Sequence, residues 1–332
     1  MAVGRSWQTG GTMSSDDVSH YELTDRDERA RQVLMQVRFW GTRGSIPTPG
    51  RSTEKFGGNT TCLEMRYGSS VLVFDAGSGI RNLGRAWVDS ANQYPTDATL
   101  LFTHFHWDHI QGFPFFTPAY LPNNRFTVYS DMKLHGDALE QLAGQMQGAY
   151  FPVPIKAMRS RMEFKSVEPK FSIGPFDITT FHLPHPGGCI GYRVVAGGTT
   201  VVFATDCELE SIRGGEGNPP YDAPNGGWAD DVVEFLSGAD LLIIDSQYTD
   251  KAYGDCKGWG HNGMSAVLAM VGVARPAMVA MFHHDPGNSD GDISRMEELF
   301  HARAKHYGCL GFAAREGMTI EPGRARALLK KV

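Results

Sequence analysis

"ATLLFTHFHWDHIQG", Ala98 to Gly112, decides the reading of this chain. A run of strand-forming apolar residues ends at Phe102, and three histidines and one aspartate then fall within six positions, His104 to His109. Side chains of an extended segment repeat every second residue, so His104 and His106 point the same way. Asp108 and His109 follow where the chain is expected to turn into a helix, and they face a second position. Nitrogen and oxygen donors of this kind suit zinc, manganese or iron. Any one of the four alone reads as an ordinary polar loop residue. Burying all four without a cation would leave polar atoms unpaired, at a cost of several kcal/mol.

Working outward, other strand-like runs end in the same residue types. His185 follows "FHLP", Asp206 ends "VVFATD", and His283 or His284 ends "VAMFHH". One motif cannot close two metal sites, so these strand ends are the candidates for the remaining ligands. The intervening pattern is regular from Gln36 onward. "VRFW" reads as a strand, and "TTCLEMRY" and "SSVLVFDAG" as two strands turning near Gly68. A helix is expected over "GIRNLGRAWVDS" and another over "DALEQLAGQMQ". "RFTVYS" and "FDITTFHL" read as strands, and "GYRVVAGGTTVVFATD" as a hairpin about Gly197-Gly198. "ADLLIIDSQYT" and "AMVAMFHH" are strands, each preceded by a helix-like stretch. Residues 1–35 are polar and aperiodic; they are expected to be a disordered extension, with at most a short helix capped by Thr24. Residues 36–332 then form one domain. "RGGEGNPPYDAPNGG", Arg213 to Gly227, is a long Gly/Pro loop of the kind that is functional or disordered.

Composition bounds the function. The chain has 332 residues, 41% hydrophobic and 20% charged, enough for a sizeable core. A net charge of −6 argues against sequence-independent nucleic-acid binding, which needs a basic field, although a local basic patch stays open. The five cysteines are odd in number and show no CxxC pair, so they read as free thiols of a reducing, cytoplasmic compartment. No stretch is long and apolar enough for a membrane span, and the N-terminus lacks an apolar signal core.

The order of the motifs is specific. "THFHWDH", "HPGGCIGYRV", "FATD", "IIDSQY", "GHNGMS" and "FHHDP" follow one another along the chain. In this it resembles the metallo-β-lactamase superfamily, whose signature is HxHxDH, and within it the phosphodiesterase-like branch that contains ribonuclease Z. The resemblance runs from about Arg38 to the C-terminal region. It implies an αββα sandwich: two packed mixed β-sheets flanked by helices, with metals at the sheets' shared edge. It implies two divalent ions, Zn²⁺ first and Mn²⁺ or Fe²⁺ as alternatives. His104, His106 and His185 would hold one; Asp108, His109 and His283 the other; Asp206 would bridge. His283 is preferred as the first residue after "VAMF", which leaves His284 as a second-layer or substrate-facing group. Asp75 would orient the histidine loop, and Asn59 and Thr60 would border the substrate. Two such metals share a water and lower its pKa towards neutrality. Asp108 would orient that water, and His261, itself oriented by Asp245, would protonate the leaving alkoxide.

The acidic balance and the lack of a basic Gly/Pro-rich arm favour a small phosphodiester such as a cyclic nucleotide over a nucleic acid. The alternatives are an RNA-processing nuclease, an ester or lactone hydrolase, and a non-hydrolytic di-iron redox or sensing protein. No membrane partner is expected, and a homodimer is compatible with the reading. His20, His135, His182, His301 and His306 read as ordinary core or surface histidines. Phe105, Trp107, Phe113, Phe115 and Phe116 read mostly as core; one or two of them could wall the pocket, as could Tyr150 and Phe151.

Overall fold

The computed structural model describes residues 33–90, 96–214 and 227–324. The expected N-terminal disorder and Thr24-capped helix, and most of the Arg213–Gly227 loop, lie outside the described residues.

Fourteen strands form two seven-stranded sheets among the described residues. They are β1 (Gln36–Gly41), β2 (Cys62–Tyr67), β3 (Ser70–Phe74), β4 (Asp97–Leu101), β5 (Arg125–Ser130), β6 (Arg161–Ser166), β7 (Lys170–Ile173), β8 (Phe176–Leu183), β9 (Cys189–Ala196), β10 (Thr199–Ala204), β11 (Leu241–Asp245), β12 (Met278–Phe282), β13 (Leu310–Ala313) and β14 (Thr319–Ile320). The sheet orders are β14-β1-β2-β3-β4-β5-β6 and β13-β12-β11-β10-β9-β8-β7. The helices are α1 (Ile80–Asp89), α2 (Trp107–Ile110), α3 (Met132–His135), α4 (Ala138–Gly144), α5 (Asp230–Leu236), α6 (Asp250–Asp255), α7 (Met264–Ala274) and α8 (Asp290–Ala304).

The layering follows from alternation. In β11, Leu241 and Ile243 enter the core between the sheets, while Leu242 and Ile244 enter the core under α5, α7 and α8. In the β3–β4 half, Leu72, Phe74 and Leu101 face the inter-sheet core, whereas Val71, Val73, Leu100 and Phe102 pack beneath α1. Both faces of these strands are buried, which is why they read as continuous apolar runs. Helix α1 buries Ile80, Leu83, Gly84 and Trp87, one face of a 3.6-residue period. This is the αββα sandwich expected from the sequence.

Two further features position the site. Strands β3 to β6 pair in parallel, as do β10 to β13, so their C-terminal ends line up on one edge of the sandwich. The β9–β10 hairpin turns through Gly197 and Gly198, both at positive φ (55° and 76°), as a type I′ turn requires. The ten strands anticipated above are all present. The four that were not, β6, β7, β13 and β14, are the four sheet edges. Edge strands are half solvated and carry charges, as "RMEFKS" in β6 does, so their alternation is weak.

Candidate metal centre

The edge where the parallel strands end gathers the polar residues. Asp75 follows β3, His104 to His109 follow β4, Asp206 follows β10, Asp245 ends β11 and His283 follows β12. His185 arrives from the loop after β8.

Their ligand atoms form two groups around Asp206. On one side His104 Nε2 and His185 Nε2 each lie 3.7 Å from Asp206 Oδ2, and His185 Nε2 lies 3.0 Å from His106 Nδ1. On the other, His109 Nε2 and His283 Nε2 lie 3.2 and 3.3 Å from Asp206 Oδ1, and 3.3 and 3.1 Å from Asp108 Oδ2. Each Asp206 oxygen therefore faces a different group. Donor atoms of His104, His106 and His185 lie within 4.8 Å of one another, as do those of Asp108, His109 and His283.

The imidazole tautomers are set from behind. Asp75 Oδ2 accepts from His109 Nδ1 (2.8 Å) and from the Thr103 hydroxyl (2.9 Å). That hydroxyl, its proton committed, accepts from His104 Nδ1 at 3.0 Å. His185 Nδ1 donates to the Gly260 carbonyl (3.0 Å) and His283 Nδ1 to Gln247 Oε1 (2.8 Å). Each such bond leaves the Nε2 lone pair pointing inward, as a metal ligand requires. The buried Nε2 atoms of His104 and His109 have no hydrogen-bond partner. The facing nitrogens of His185 and His106, like those two orphans, fit a divalent cation between them.

Burial would lower His109, but the Asp206, Asp108 and Asp75 charges outweigh it and hold it well above the usual histidine range, so its Nε2 keeps a proton that a cation would displace. Burial, reinforced by the nearby His109 charge, holds His104 well below the usual histidine range, so its lone pair is free. Burial would raise Asp206 and Asp108, but the His109 charge outweighs it, and both stay well below the usual carboxylate range.

His261 stands at the margin of the cluster. Its Nδ1 lies 2.7 Å from Asp245 Oδ2, and its ring stacks on His283 with centroids 4.9 Å apart. Burial lowers its pKa, but the Asp245 charge and hydrogen bond, with Asp206 and Asp108 beyond, raise it from 6.5 to about 9.

The structure does not bring every candidate to this point. His284 turns away: its Nε2 donates to the Ala314 carbonyl at 2.9 Å and its ring packs on Phe56. Asn59 bonds Glu316 and Ser78, and Thr60 bonds Ser78 and Gln111, so both brace neighbouring loops rather than join the converging atoms. His182 is exposed and pairs with Asp131 at 3.0 Å.

The sequence profile of the beta-lactamase superfamily domain matches residues 71–284, nearly two-thirds of the chain. The chain belongs to the beta-lactamase superfamily. Among curated members, ribonuclease Z of Pyrococcus furiosus is 22% identical over 296 residues, covering 76% of this chain and 87% of the relative. Ribonuclease Z of Staphylococcus carnosus is 21% identical over 282 residues, covering 81% of each. Two solved structures share the fold. The metallo-beta-lactamase fold protein YhfI from Bacillus subtilis has a TM-score of 0.60 at 18% identity, covering 87% of this chain and 99% of that one. Human tRNase Z, short form, has a TM-score of 0.58 at 17% identity, covering 86% and 98%. As a superfamily member the chain is a metal-binding hydrolase.

Three supporting residues escaped the sequence reading: Thr103, Gln247 and Glu208. Thr103 immediately precedes the first histidine and Gln247 lies in "IIDSQY", so both sat inside quoted motifs without a signal of their own. The buried Glu208 carboxylate accepts from the Tyr253 hydroxyl (2.8 Å) and from Gly258 N and Gly260 N (2.9 and 3.0 Å). It thereby pins the loop that carries His261. Its position two residues after Asp206 was the only available hint.

Proposed function

We propose that this chain is a dinuclear metal-dependent phosphodiesterase acting on a small phosphodiester such as a cyclic nucleotide. The observation that carries the reading is the His261–Asp245 pair at 2.7 Å beside the Asp206 cluster. His104, His106 and His185 would hold one ion and Asp108, His109 and His283 the other, with one Asp206 oxygen for each. The nitrogen-rich donor set suits zinc, with manganese or iron(II) as alternatives. Bound there, divalent ions supply Lewis acidity and a water acidic enough to attack near neutral pH. Asp108, whose Oδ2 accepts from Ser45 N at 2.7 Å, would orient that water. His261 has Nδ1 committed to Asp245, whose carboxylate favours the imidazolium, and its other nitrogen would carry the proton. Handing it to a departing alkoxide is general acid catalysis, which a diester with a poor leaving group needs. Asp245 holds the ring in place and stabilises its charge.

The test is elemental analysis joined to a substrate panel of bis-p-nitrophenyl phosphate, cyclic nucleotides, a lactone and a precursor tRNA. Near two metal equivalents and turnover of cyclic nucleotides are expected. Asp206→Ala should lose most of the metal, since one carboxylate serves both groups; full occupancy in that variant removes it from the bridge. A second reading, an RNA-processing nuclease, draws support from the curated relatives named ribonuclease Z. It requires preference for precursor tRNA with a steep loss of activity in salt.

A further inference from the structure

Beside His261 a cleft of about 370 Å³ opens, lined among others by Gln247, Tyr248, Trp259, Asp285 and Pro286. That volume falls within the range of small-molecule sites, about 300–1,000 Å³. From its lining we infer that the cleft is a nucleoside subsite for a base with an amino-bearing edge; the inference rests on the phosphodiesterase reading for the ligand's orientation.

Trp259 carries the argument. Its indole is 63% exposed, yet its backbone is fixed: Gly258 N and Gly260 N, on either side of it, both donate to the buried Glu208 carboxylate, and Trp259 N donates to the Cys256 carbonyl at 3.1 Å. Gly260 sits at φ +89°, and a Cβ there would lie 2.3 Å from His185 Nδ1, so the turn is seated against the metal cluster. A large aromatic face presented to water from a fixed turn is suited to stacking on a flat ligand ring. Tyr248, which also lines the cleft, is buried, and its hydroxyl accepts from Gln247 Nε2 at 3.0 Å.

Asp285 sets the edge preference. Asp285 Oδ1 accepts from Gly287 N at 2.6 Å, and its backbone carbonyl is held by Arg43 Nη1 at 3.0 Å. Among the described residues Asp285 Oδ2 has no protein donor, so a ligand N–H can meet it. Among the described residues no lysine or arginine lines the cleft, which favours a base over a second phosphate there. Guanine, adenine and cytosine present an exocyclic amino group; uracil flanks its single N–H with carbonyls that a carboxylate repels. His261, lining the same cleft, then stands at the sugar oxygen whose bond to phosphorus breaks.

Cys256 also lines the cleft and supplies a readout independent of turnover. The test uses the metal-loaded full-length chain and measures iodoacetamide modification of Cys256 in the presence of guanosine 5′-monophosphate or uridine 5′-monophosphate. Guanosine monophosphate should protect at concentrations roughly tenfold below those needed with uridine monophosphate. Trp259→Ala should weaken protection by either nucleotide roughly 10- to 100-fold, and being an exposed side chain its loss leaves the core intact. Asp285→Asn, which keeps an acceptor for Gly287 N, should erase the preference for guanosine. Equal protection by both nucleotides, or protection unchanged in both variants, overturns the subsite. A base preference that persists in binding while no phosphodiester is turned over keeps the subsite and overturns the phosphodiesterase reading instead.

Discussion

At the scale of single residues, the site is built on strained backbone. Ser45, Asp75, Asp206 and His283 occupy the left-handed region, with φ of 62°, 58°, 52° and 60°. Such positions cost about 1–3 kcal/mol each in non-glycine residues and persist where the surroundings demand them. Here the demand is geometric: each residue leaves a strand or loop and must aim at one small volume. The proton-donor role proposed for His261 is separable from metal binding by its variant. His261→Ala should keep both metals while losing about 10²–10⁴-fold on a cyclic nucleotide. The loss on bis-p-nitrophenyl phosphate should be far smaller, because nitrophenolate leaves without a proton. Asp245→Asn should show the same pattern more weakly, and equal losses on both substrates would refute the donor role. The ring's pKa makes a prediction in metal-free protein. It is raised from 6.5 to about 9 on folding, so the imidazolium stabilises the fold. That contribution is complete below pH 6.5 and is lost as pH rises through about 9. The difference in urea stability between the wild type and His261→Gln should shrink across that window; a difference flat with pH would count against it.

At the scale of elements, the chain leaving β10 fastens the loop before α7. Asn262 Nδ2 donates to Cys207 Sγ (3.2 Å), Leu209 N donates to Asn262 Oδ1 (2.8 Å), and Glu208 holds Gly258 N, Gly260 N and Tyr253. One short segment thus bears Asp206 and sets the positions of both His261 and the Gly260 carbonyl that orients His185. Glu208→Ala removes the acceptor of the buried Gly260 N–H, at about 1–3 kcal/mol for that group, and releases the Gly258 and Tyr253 contacts as well. The expected result is a melting temperature lower by several degrees and, at temperatures where the variant is folded, slower turnover of cyclic nucleotides than of bis-p-nitrophenyl phosphate. Calorimetry and the two assays check it; equal slowing on both substrates would limit Glu208 to a stabilising role. None of this was legible in "TDCELE", because a glutamate in sequence gives no sign of which backbone N–H groups it will meet.

At the scale of the whole molecule, two sheets share one core and each has a second core under its helices. Cys62, Cys189, Cys207 and Cys309 are buried in these cores, and Cys256 is half-buried at the cleft. Burial pushes the four buried thiols up, Cys309 to about 12 and the others well above the usual range. Iodoacetamide at pH 8 should therefore label Cys256 in the native protein and the other four only after unfolding, as peptide mass analysis would show. Native labelling at Cys189 or Cys207, beside the metal cluster, would mean that the edge of the sandwich opens far more than its packing implies. Among the described residues no helix is long and apolar enough to cross a membrane.

Sequence by itself determined the ten inner strands, by alternation or by apolar runs, and in β3, β4, β10, β11 and β12 burial on both faces leaves continuous apolar runs that stop at or just before histidine or aspartate. It also marked the Gly197-Gly198 turn, because only certain residues accept that backbone. Tertiary structure alone decided what those ends meet. Residues 75, 104, 185, 206, 245 and 283 are far apart in the chain, and parallel pairing within each sheet, with the packing of one sheet on the other, brings them to one edge. The same packing separated His283 from its neighbour His284. Past the end of β12 the chain turns at His283, at φ 60°, so that its ring enters the cluster while His284 turns to Ala314. The edge strands, the Glu208 clamp and the Trp259 cleft were settled at that level too, because each depends on contacts between segments that carry no local pattern.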